Sequence, residues 1–77
     1  MKSFKVKLDS IEKVKGFVNT IANSDSDFDL ISDRYVVDAK SIMGIFSLDL
    51  SKELKLEIMN DEVADALLPS LKNYIVE

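Results

Sequence analysis

The sequence predicts a small α+β domain with the element order βαββαβα. Three observations point to it. Apolar side chains alternate with polar ones in short stretches near the start, the middle and residue 56, which is the pattern of strands with one buried face. Apolar residues recur at helical spacing over Ile11–Ile21 and again from Val63 onward. Between them lies Asn23-Ser24-Asp25-Ser26-Asp27, a loop of residues that bond their own backbone.

Taken in order, Phe4, Val6 and Leu8 alternate with Lys5, Lys7 and Asp9 and give the first strand. Asp9 stands three residues before Glu12 as a capping box, and Ile11, Val14, Phe17, Val18 and Ile21 follow as the inward face of a helix. Gly16 inside that helix costs about 1 kcal/mol relative to alanine, so the helix depends on packing against a sheet. Phe28 and Leu30, then Tyr35, Val36 and Val37, flank Ser32-Asp33-Arg34 as a hairpin. Ser41 caps a short helix carrying Ile42, Met43, Ile45 and Phe46, which runs into Ser47-Leu48-Asp49-Leu50. Leu54, Leu56 and Ile58 alternate with Lys55, Glu57 and Met59 as the fourth strand. A last amphipathic helix opens on Asn60-Asp61-Glu62 and carries Val63, Ala64, Leu67, Leu68, Leu71, Tyr74 and Ile75, with Pro69 expected to kink or break it.

Composition limits function. Seventy-seven residues are expected to form one domain, 1–77, near the lower size at which a chain without disulfides or metal buries an adequate core. The apolar fraction of 47% and charged fraction of 31% are those of a folded protein rather than a disordered one. A formal charge of −4 argues against nucleic acid, whose recognition needs a positive field. No apolar run suits a membrane span or a signal peptide, so no membrane is expected and the default location is cytoplasmic. The chain has no histidine and no cysteine, which removes phosphohistidine, imidazole and thiol chemistry.

Lys40-Ser41-Ile42-Met43-Gly44-Ile45-Phe46-Ser47-Leu48, set after a hairpin and before a strand and final helix, resembles HPr, the phosphocarrier of the bacterial sugar phosphotransferase system. The opening strand Phe4-Lys5-Val6-Lys7 and the element order are similar too. The resemblance implies an HPr-like open-faced β-sandwich, a four-stranded antiparallel sheet with helices packed on one face. It also implies a G-I-H-A-R-P motif after the first strand, whose histidine takes phosphate. Here that stretch reads Asp9-Ser10-Ile11-Glu12-Lys13-Val14-Lys15-Gly16, without histidine, arginine or proline and with a shortened loop. Glu12 would repel an incoming phosphoryl group.

Ser41 matches the position that a dedicated kinase phosphorylates in Gram-positive members of the resembled family, which makes it a candidate regulatory site. Phosphate at a helix start meets unpaired N–H groups, and Lys40 stands next in sequence. As a plain N-cap the same serine contributes about 1 kcal/mol. The family's partner-docking patch falls on Ile42, Met43, Phe46 and Leu48, the candidate partner-binding residues. Some of them must face the sheet: Ile42 or Met43 and Phe46 are expected partly exposed, Ile45 and Leu48 more buried.

Asp25, Asp27 and Asp29 have the spacing that opens a calcium loop, but Leu30 stands where glycine is needed and Val36 where a bidentate glutamate belongs. No metal or cofactor is expected, and with only Gly16 and Gly44 in the chain there is no phosphate loop. The reading is therefore of a non-enzymatic, HPr-like regulatory or protein-interaction domain, with phosphotransferase-system or regulatory proteins as partners. The alternative is a structural or oligomerising module, a homodimer joined by a strand edge or the apolar helix patch. A residual phosphocarrier role through another residue ranks below both.

Overall fold

The computed structural model describes residues 1–76. Seven elements follow the expected order: β1 (Lys2–Val6), α1 (Ile11–Ile21), β2 (Phe28–Ser32), β3 (Tyr35–Asp38), α2 (Ile42–Phe46), β4 (Leu54–Ile58) and α3 (Asp61–Leu71). The strands form one antiparallel sheet in the order β1-β4-β2-β3. β4 and β2 are thus central, and their alternation is the cleanest: Leu54, Leu56 and Ile58 point one way with Phe28 and Leu30. That face meets Val14, Phe17, Val18 and Ile21 of α1 and Ala64 and Leu71 of α3, all buried. Helices on one side and none on the other make the four-stranded open-faced sandwich that the resemblance implied.

The hairpin between β2 and β3 closes on Asp33-Arg34, with Ser32 paired to Tyr35. Asp33 adopts the left-handed backbone at φ 52°, a conformation that aspartate enters more readily than most side chains.

Three expectations about the ends of elements need correction. Ser10, not Asp9, caps α1: its hydroxyl accepts the Lys13 N–H at 3.1 Å, while Asp9 turns outward to an ion pair with Lys13 at 3.1 Å. Ile11 consequently sits at the first helical position, beyond the sheet, and is 62% exposed rather than part of the core face. Pro69 does not break α3 where it stands: it is exposed, and the helix runs on past it to Leu71. Tyr74 and Ile75, counted with that helix, instead lie past its end: a turn runs to Tyr74, with the N–H groups of Tyr74 and Ile75 donating to the Leu71 carbonyl. The tail then lies beside β1, where Val6 bridges Ile75, Lys7 N–H donates to the Tyr74 carbonyl at 2.9 Å, and Val76 N–H donates to the Lys5 carbonyl at 2.8 Å.

The tail explains Gly16. The Tyr74 ring packs edge-on against Phe17 with centroids 5.7 Å apart, and its hydroxyl lies 2.5 Å from where a Cβ on residue 16 would be. A side chain there would displace the tyrosine, so the helix accepts the entropic cost of glycine to admit the ring.

Candidate functional site

α2 is only five residues long, and its sequence makes it two-sided. Ile45 points into the core and is fully buried, and Leu48, just past the helix, is 8% exposed. Met43 at 82%, Phe46 at 41% and Ile42 at 37% face outward. Leu48 therefore leaves the set of candidate partner-binding residues, because its side chain fills the core beneath α2. Ile42, Met43 and Phe46 remain as an exposed apolar surface.

Two residues that sequence reasoning passed over join it. Phe46 and Leu50 form one wall of a shallow groove, with Asp9, Ser10 and Ile11 opposite and Ser51 at the end. The start of α1 and the end of α2 thus share one surface. The sequence signal for Ile11 was its place directly after a capping serine, where a first-turn side chain overhangs the end of the sheet.

Ser41 caps α2. Its hydroxyl accepts the Gly44 N–H at 3.1 Å, and the backbone N–H of Ser41 donates to the Asp38 carbonyl at 3.0 Å. Gly44 keeps this arrangement open, since a Cβ there would stand 3.3 Å from both Ser41 Oγ and Val37 Cβ. Lys40 does not stand beside Ser41 as its sequence position suggested. Its ammonium donates to the Ser24 carbonyl at 2.7 Å and lies 5.4 Å from the Phe28 ring centroid, a cation–π contact. What the Ser41 turn does hold is the Asp38 carboxylate, which accepts the Lys40 N–H at 2.9 Å.

At the other junction, hydrogen bonding and charge from Lys13 hold the Asp9 carboxyl below its ordinary range. Asp49, near the end of the groove, is held down by hydrogen bonds from the side chain and backbone of Ser51. Among the described residues no three acidic side chains are placed to hold a metal ion. The calcium-like spacing ends in β2, where Asp29 belongs to a strand rather than a loop.

The family model "PTS HPr component phosphorylation site" matches residues 13–77. The chain belongs to the HPr family. It is 29% identical to HPr-C-His from Thermoanaerobacter tengcongensis, whose crystal structure superposes with a TM-score of 0.74 over 94% of this chain and 92% of that one. The phosphocarrier protein HPr from Bacillus anthracis str. Ames, 24% identical, matches in fold with a TM-score of 0.70, over 97% of this chain and 94% of its own. No curated protein matches the sequence. In this HPr-family chain the junction after β1, where the resemblance leads one to look for a phosphate-bearing histidine, carries Ser10 as a helix cap, and no histidine occurs anywhere in the sequence. Among the described residues no helix is long and apolar enough to cross a membrane.

Proposed function

We propose that residues 1–77 form one non-catalytic HPr-like domain that docks regulatory or phosphotransferase-system proteins and does not carry phosphate on histidine. The observation that carries this reading is an exposed apolar surface, Ile42, Met43 and Phe46 with Ile11 and Leu50 beside it, abutting a strand-to-helix junction that lacks the acceptor. Methionine and phenylalanine adapt to partner surfaces, and a patch of this kind on so small a protein exceeds what scattered surface residues explain.

Ser41 is the proposed switch. A phosphate on its hydroxyl faces the free N–H groups of the first turn of α2, and the Asp38 carboxylate in the same turn opposes it. Lys40 supplies a counter-charge only by leaving Ser24, so modification would move the 22–27 loop as well as α2.

Incubation with an HPr serine kinase and ATP, followed by intact-mass measurement, tests the switch. One added phosphate, lost in Ser41→Ala, is expected; an unmodified chain under conditions that fully modify authentic HPr refutes it. Incubation with the upstream phosphotransferase and phosphoenolpyruvate is expected to leave no acid-labile phosphate.

A further inference from the structure

The face of the sheet that carries no helix is sorted by charge. The register aligns Lys5, Lys55, Ile31 and Val36 in one row across the four strands, and Ser3, Glu57, Asp29 and Asp38 in the next. Lysine therefore stands directly opposite lysine across β1 and β4, and three carboxylates stand side by side across β4, β2 and β3. Like charges directly opposite destabilise a sheet, whereas the opposite arrangement was available to any sequence with these residues. Lys55 reaches along its strand to Glu57 at 3.3 Å. Among the described residues no ion pair engages Lys5, Asp29 or Asp38. Each corner also carries a shallow depression, one between Ser3, Lys5 and Lys55 and one between Asp27, Asp29 and Asp38.

We infer that this open face is an interface with a second copy of the chain. The basic and acidic corners lie on a diagonal. Strands are spaced about 4.8 Å apart and same-face residues about 6.8 Å apart, so a two-fold axis across that diagonal exchanges the corners. Lys5 and Lys55 of each copy then meet Asp29 and Asp38 of the other, twice per interface, while Ile31 and Glu57 both lie near the axis against their own counterparts, Glu57 with Lys55 of its own strand to offset its charge. The strands of the two sheets then cross at about 70°, nearer the orthogonal than the aligned way of stacking sheets. An isologous contact of this kind is self-complementary and closes at two copies. The face is small and charged beside the roughly 800 Å² per partner of a standard stable interface, so the association is weak and sensitive to salt. It leaves the α2 surface of both copies free on the far sides, giving a two-headed docking unit.

Sedimentation equilibrium of the full chain at rising concentration, in low salt and in about 0.3 M salt, is the test. Self-association that salt dissolves is expected. The Lys5→Glu/Lys55→Glu and Asp29→Lys/Asp38→Lys double variants should each be monomeric, and an equimolar mixture of the two should associate again, because both corners of the mixed pair are then complementary. Amide spectra confirm that each variant is folded; if one is not, the single substitutions Lys5→Glu and Asp38→Lys repeat the test from the edge strand of each corner. A chain that stays monomeric at every concentration in low salt overturns the inference. So does a dimer that survives both charge reversals but is dissociated by Phe46→Asp, which would place the contact on α2.

Discussion

Two junctions in this protein are built alike and end differently. After β1 and after β3 the chain turns into a helix capped by a serine, and in both the hydroxyl accepts the N–H three residues on at 3.1 Å. Each of those helices also holds one of the chain's two glycines, at a place where a Cβ would meet a neighbour. Yet α1 is an eleven-residue helix with a fully used inward face, and α2 is five residues with most of its apolar surface outside. A long helix can satisfy itself by packing; a short one with that composition is held by a single buried isoleucine and the residues that follow it. The first junction is thus structural with a little exposed apolar surface at its lip, and the second is the surface itself.

The sharpest way to separate the two roles is within the second junction. Leu48→Ala should cost about 2–3 kcal/mol in urea unfolding by emptying a core position, while Phe46→Ala should cost less than about 1 kcal/mol and leave the amide spectrum of the sheet unchanged. Equal losses would mean that Phe46 belongs to the core and that the docking surface is misplaced.

The glycines come next. Gly16→Ala should lose about 1 kcal/mol, since overpacking against the Tyr74 hydroxyl outweighs the gain in helix propensity. In a Tyr74→Phe background the closest remaining atom is the ring carbon at 3.7 Å, an ordinary contact, so the same substitution should become stabilising. Gly44→Ala meets Ser41 Oγ and Val37 Cβ at 3.3 Å and should cost less than Gly16→Ala does in the unaltered chain.

Removing the caps tests the likeness itself: Ser10→Ala and Ser41→Ala should each cost about 1 kcal/mol by thermal unfolding, but only the second should abolish kinase labelling. The smallest effect is that of pH. Asp9 has its acidity raised in the folded state, so its contribution is present above the ordinary carboxylate range near pH 4 and fades as pH falls through and below it. Being exposed, it contributes little, and Asp9→Asn should flatten the acid limb of stability only slightly.

Strands and helices were legible because a half-buried sheet and an amphipathic helix impose periods of 2 and 3.6 on the apolar residues, and β4 and α1 follow theirs closely. The side of α2 was also readable, since a five-residue helix cannot turn four large apolar residues inward. What could not be read depended on contacts distant in sequence. Asp9 and Ser10 are both good caps by type, and only the backbone decides between them. Lys40 turns from Ser41 toward Ser24 and Phe28, groups that its own neighbourhood does not announce. The tail leaves the helical pattern because Tyr74 and Ile75 find β1, sixty-nine positions away for the Val6–Ile75 bridge. The sorted charges of the open face likewise appear only when register is known.

That tail also sets how far the sheet can grow. An antiparallel sheet has two edges, and each is an invitation to another strand. Here residues 74–76 occupy the outer edge of β1 at Lys5 and Lys7, leaving β3 as the longer open edge. Strand addition at β3 joins two chains and then meets, on both outer sides, an edge open only along the first residues of β1. A fibre needs two full edges per molecule, and this fold offers it one.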